Sequence, residues 1–331
     1  MPHFWVHSTA QAPHDPRMST TAAAERIAPP GRLPSRALWR RWELPTWGVA
    51  LAIYGAWAGL LLLHAHIPWP VEALLAAYIL AWHFSLQHEA IHGWRSIPQG
   101  LRTVMVWPPI GGWWPFELYR RSHSKHHRNT YLTIPGEDTE TQYHRDEDWR
   151  GYSLLFRQIL LANQTFVGRL AIGPFLRLRK LVLVEYGKVA RRDFSDVPAW
   201  LGFFAGLAAV LWFVNVVADM PIWHYYLVWV LPGISLGLLR AFIEHRWGDK
   251  PGQRTASVES NWVFGLLFLW NNLHIVHHLY PTMAWFEIPG FWRANRERLL
   301  AHNGHFVFRG YGEIARRWLF KPVFVPIHPA R

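Results

Sequence analysis

The sequence predicts an all-α integral membrane protein: four transmembrane helices in two hairpins, with a cytoplasmic helical cap that carries clustered histidines. Three observations predict it. Apolar residues make up 51% of the 331, with 22 Trp, yet mean hydropathy is only −0.01, so apolar character is concentrated in segments. Trp47–Pro68, Val71–Gln87, Val197–Ala218 and Pro221–Leu239 together contain one charged residue, Glu72. Each approaches the ~20 residues that cross a bilayer, and Trp stands at several ends, as interfacial aromatics do. The basic residues then fall on one side: 6 precede the first span, 16 lie between the second and third, and 12 follow from Arg240. The short loops around His64–Pro70 and Asp219–Met220 have none. Positive charge marks the cytoplasmic side, so both termini are expected there. The net charge of +12 then reads as an orientation signal and a headgroup surface, not as a nucleic-acid face.

Each element follows in order. Residues 1–46, rich in Pro, Ala, Ser and Arg, have no apolar core segment and read as a disordered basic cytoplasmic tail. No h-region marks a cleaved signal peptide. A membrane domain is expected over 47–300, with spans at about 47–68, 70–88, 197–218 and 221–243, followed by a cytoplasmic C-terminal segment, 301–331. The first hairpin turns at Ile67-Pro68-Trp69-Pro70, and its second helix runs on to a cap near Gly93. Pro98, Pro108, Pro109, Gly111, Gly112 and Pro115 forbid a continuous span there. Trp107, Trp113 and Trp114 fit interface anchors or a substrate channel. A helix is expected over Glu117–Tyr131. The acidic stretch 132–150 reads as a solvated loop, and 152–192 as an amphipathic helix on the membrane surface. The fourth span is expected to continue through Glu244-His245, and Asn261–His278 to form one amphipathic stretch ending at Pro281.

Three histidine clusters stand out: His88 and His92 in HEAIH, His123, His126 and His127 in HSKHH, and His274, His277 and His278 in HIVHH. Residues three and four apart share a helix face, so each cluster can aim its imidazoles at one place. Hydropathy and charge alone put all three on the cytoplasmic side. A structural zinc takes four ligands and a catalytic zinc three, so eight imidazoles point to two metal ions. The chain has no Cys, which excludes thiolate sites, and an all-nitrogen donor set suits iron, zinc, copper or nickel. Taken alone, HEAIH also matches H-E-x-x-H, in which two His bind zinc and Glu89 is a general base, as in a membrane zinc metalloprotease. That reading leaves the other two clusters unexplained. Under the dinuclear reading Glu89 is a carboxylate that orients a ligand imidazole. A metal-storage or transport site would need ligands along a path across the membrane, and these lie on one side.

HEAIHG (88–93), HSKHHRNTYLTIPGEDTE (123–140) and NNLHIVHHLYPTMAWFEIP (271–289) resemble the membrane-bound fatty acid desaturase superfamily, with its hydroxylase and ketolase relatives, over roughly residues 45–300. The resemblance implies two non-haem iron ions, O2 as co-substrate, and oxidation of unactivated C–H bonds in a lipid. Desaturation of a fatty acyl chain comes first, and carotenoid or other lipid hydroxylation or ketolation is the alternative. It implies a ninth metal ligand, His245. Where acyl desaturases carry an Asn one turn earlier, this chain has Ala241, for which Asn271 or Asn272 could compensate. Electrons are expected from a separate donor, such as a ferredoxin or cytochrome b5 with its reductase, drawn to the basic surface.

Overall fold

The computed structural model describes residues 38–92, 97–128 and 131–329. Most of the basic tail and the Gly93 cap therefore lie outside the described residues. A short helix, α1 (Leu38–Arg41), leads to α2 (Leu44–Leu63), which Pro45 starts and a 3-10 turn at His64–His66 extends. Proline suits this first turn because its missing N–H has no partner there anyway. The long α3 (Trp69–His92) packs beside α2, and its last turn carries His88 and His92. Prolines limit the next segment to α4 (Gln99–Val106), and α5 (Phe116–Arg128) holds the second cluster. Then come α6 (Asp146–Gly151), α7 (Leu154–Ala162) and α8 (Phe166–Ala190), with Ser153 and Thr165 capping the last two through Phe156 N and Gly168 N. The single amphipathic helix expected over 152–192 is thus two helices, bent by 119° at Asn163-Gln164-Thr165.

After α9 (Val197–Trp212) and α10 (Ile222–His224), a π-turn at Tyr225–Val230 leads into α11 (Leu231–Ala241). Pro232 explains the wider turn, since it cannot donate to the carbonyl four residues back. Four stretches are long and apolar enough to cross a membrane: Leu44–His66, Trp69–His92, Val197–Val217 and Ile222–Ala241. They match the predicted spans to within a few residues. The most extensive pairing of helices is α3 with α11. Gly233 permits it, because a methyl there would stand 2.7 Å from Leu80 Cβ.

Three expectations are corrected beyond this point. The fourth helix ends at Ala241, not beyond His245. Glu244 lies in a bend after the helix, and His245 pairs with Thr255 in an isolated antiparallel bridge. The stretch 261–278 is broken into α12 (Trp262–Leu267) and α13 (His274–Leu279). Between them Leu269 and Trp270 both take left-handed φ values of 47° and 55°, a conformation costing roughly 1–2 kcal/mol per residue. Trp270 N bonding to Gly265 O at 2.7 Å holds it, and Gly265 has no Cβ to meet the indole. The acidic loop 132–150 is not solvated throughout: Asp138 is 4% exposed and Thr133 1%. Last come α14 (Ile288–His302) and α15 (Tyr311–Trp318). Between those helices β2 (Val307–Phe308) pairs in parallel with β1 (Ser257–Val258), which brings the C-terminal chain against the segment after α11.

Candidate metal centre

The three clusters converge. His88, His92, His123, His127 and His277 form one group whose ligand atoms all lie within 4.8 Å of one another, and such a group could hold a metal ion. His126, His127 and His278 form a second group, and His245, His274 and His278 a third that shares His278 with it. All nine histidines singled out by the sequence are therefore in one place, at the ends of α3 and α11. His277 Nε2 lies 2.9 Å from His127 Nε2, and His274 Nε2 lies 3.1 Å from both His245 Nε2 and His278 Nε2.

The other ring nitrogens explain this orientation. His245 Nδ1 donates to Arg254 O at 3.1 Å, His123 Nδ1 to Glu140 Oε1 at 2.8 Å, and His126 Nδ1 to Asp138 Oδ1 at 2.8 Å. His274 Nδ1 lies 3.2 Å from Asn271 Oδ1 and 3.3 Å from Glu244 Oε1. With the proton on Nδ1, Nε2 presents a lone pair inward. Lone pairs crowded at about 3 Å repel one another unless a cation stands between them. Cis nitrogens on a metal with bonds of about 2.1 Å are about that far apart. The Nε2 atoms of His92, His123 and His126 are buried without a hydrogen-bond partner. This donor set fits a metal pair.

Electrostatics keep most of these rings neutral, as a ligand must be. Burial and the neighbouring His126 lower the pKa of His245 to about 3. Burial and adjacent imidazoles hold His127, His274, His277 and His278 below the usual histidine value. His126 differs: burial lowers it, but the Glu140 and Asp138 carboxylates outweigh that and raise it. Burial would raise Glu140, yet His123 and His126 pull it well below the ordinary carboxylate value.

The remaining candidates divide. Asn271 reaches the cluster, with Nδ2 3.1 Å from His88 Nδ1 and Oδ1 toward His274. Asn272 donates instead to Val258 O and Ser260 Oγ. Glu89 accepts from Trp285 N at 3.2 Å and makes no hydrogen bond to a histidine among the described residues. Ala241 borders a polar cavity of about 20 Å³ that Glu140, Gln142, Glu244 and His245 also line, room for about one water. Sequence reasoning missed Asp138 and Glu140, because an acid beside polar residues reads as solvated, and took Glu244 only as part of the continuing fourth helix. The signal available was their placement: two acids in GEDTE shortly after the second cluster, and one immediately before His245.

The family described as Fatty acid desaturase has a model that matches residues 67–310, a stretch that holds all nine histidines. The chain belongs to the fatty acid desaturase family. Membership makes it an oxidoreductase, and the four apolar helices make this desaturase-family chain an integral membrane protein. Comparison with curated proteins returned no match.

Proposed function

We propose that this desaturase-family chain is an O2-dependent, non-haem diiron oxidase that oxidises C–H bonds of a lipid, desaturating a fatty acyl chain. The observation that supports it is the convergence of nine imidazoles, those of His92, His123 and His126 with partnerless Nε2 atoms among the described residues, at the ends of membrane-length helices. His88, His92, His123, His127 and His277 would hold one iron, and His126, His245, His274 and His278 the other. Bound there, the iron pair would supply the O2 chemistry that no side chain can, since an alkyl C–H bond offers no acid or base handle.

The protein's own part is to fix ligand tautomers, exclude water and bring an apolar chain from the bilayer. His123, His126 and His274 are each 1% exposed, so bulk solvent does not reach these rings. The sites lie at the ends of α3 and α11, where an acyl chain could arrive directly from lipid. Basic residues on the same side fit a cytoplasmic site and a separate acidic electron donor, such as a ferredoxin or cytochrome b5 with its reductase. The orientation of Glu89 toward Trp285 favours this reading over a zinc protease, whose general base must face the metal-bound water.

Elemental analysis of the detergent-purified chain, followed by lipid profiling of an expressing host, tests the proposal. About two irons per chain and new double bonds in host acyl chains are expected. About one zinc with no iron would overturn it.

A further inference from the structure

We propose that Asp138 and Glu140 are positioning residues that divide the two metal positions between them, Glu140 serving the five-histidine position and Asp138 the other. The inference rests on the diiron reading above and deepens it. Its basis is a repeated geometry. Two carboxylates each accept from the outward Nδ1 of one candidate ligand, Glu140 from His123 and Asp138 from His126, whereas Glu244 Oε1 only approaches His274 Nδ1 to 3.3 Å and that nitrogen pairs with Asn271 Oδ1. Asp138 and Glu140 are two residues apart in one loop, yet their histidines belong to different groups. A carboxylate in that position fixes the ring's tautomer and rotation and raises the basicity of the inward nitrogen.

The two pairs are not equivalent. Asp138 also closes its own loop, with Oδ2 accepting from Thr133 N and Oδ1 from Glu140 N, each at 2.8 Å. The loop is further tied by Thr141 Oγ1 to Thr133 O at 2.6 Å and by Lys180 Nζ to Thr139 O at 2.8 Å. The Glu140 carboxylate takes no part in those ties. Among the described residues its one hydrogen bond is to His123, and its side chain is 25% exposed. Removing it therefore leaves the loop's own bonds in place. Glu244 shares its charge between His274 and Arg240 Nε, each at 3.3 Å.

The test uses the full chain, purified in detergent and loaded with 57Fe(II). Release to an Fe(II) chelator is timed, and Mössbauer spectra separate the two irons. Glu140→Ala is expected to release one iron about 10- to 100-fold faster while the other stays. Glu140→Gln, whose amide oxygen still accepts from Nδ1–H, should restore most of the retention. Asp138→Ala should disturb the other iron's doublet, and Thr141→Val, which loosens the loop without touching a histidine, should disturb neither. Wild-type release rates and spectra in Glu140→Ala would overturn this inference alone. So would equal disturbance of both irons with no recovery in Glu140→Gln. A wild-type chain that holds no iron overturns the diiron reading and this inference with it.

Discussion

Both ends of the helical bundle bury a carboxylate against histidine, and the two ends differ in what is left over. At the end away from the clusters, Glu72 is 2% exposed and fully engaged. Trp229 Nε1 donates to its Oε1 at 2.6 Å, and His224 Nε2 lies 3.0 and 3.1 Å from its two oxygens. Nearby His64 Nε2 bonds to Ala218 O at 3.1 Å. That network is closed. At the other end, carboxylates also hold histidines, but only by the outward nitrogen, and among the described residues the Nε2 atoms of His92, His123 and His126 are left without partners. A buried histidine beside an acid is thus structural where the hydrogen bonds close, and a ligand candidate where lone pairs are left converging.

The largest effect that sharpens this contrast comes from the converging end. His126→Ala or His277→Ala should abolish turnover and lower metal content, with membrane insertion unchanged. The measurement is iron per chain together with product analysis. Full activity in both variants would break the distinction between the two ends. His245→Ala should be next in size. Its ring joins the position that His274 and His278 share, so about one iron of two should be lost. Full iron and turnover in that variant would remove His245 from the ligand set.

The spans were readable because hydropathy and charge act over some twenty residues, and nothing in the tertiary fold had to be known to place Leu44–His66 or Val197–Val217. The clusters were readable because helical spacing is local. His245 was found only through resemblance, since it is a lone histidine in an isolated bridge after α11, held in place by Thr255 and Arg254. Asp138 and Glu140 were not found, because their contacts with His126 and His123 on α5 depend on the tertiary placement of a loop whose composition looks solvated. The break between α12 and α13 was missed for a related reason: two left-handed non-glycine residues have no sequence signature, and Gly265 makes the turn possible from four and five positions away.

A smaller effect tests the closed end. Glu72→Gln keeps one acceptor but sets an amide donor against His224 or Trp229. Replacing a charge-assisted bond in this way should cost about 1–3 kcal/mol of stability, seen as a lower thermal midpoint in detergent. Iron content should not change, because no candidate ligand contacts Glu72. Iron loss in that variant at a temperature where it remains folded would show that the two ends are coupled rather than separate.

The smallest expected effect is the most discriminating for chemistry. Glu89 follows His88 in sequence, and in an H-E-x-x-H site it would be the base on which turnover depends. Its carboxylate instead accepts from Trp285 N, and the Trp285 indole donates to Thr46 Oγ1 at 3.1 Å, so Glu89 belongs to packing that ties the start of α2 to the chain after α13. Glu89→Gln preserves an oxygen acceptor for that N–H. Oxidation of lipid by the variant should therefore stay within about tenfold of wild type, with a stability change of about 1 kcal/mol. A fall of about a thousandfold or more with iron fully retained would place Glu89 in proton transfer, and the boundary drawn between closed and converging polar networks would have to move to include it.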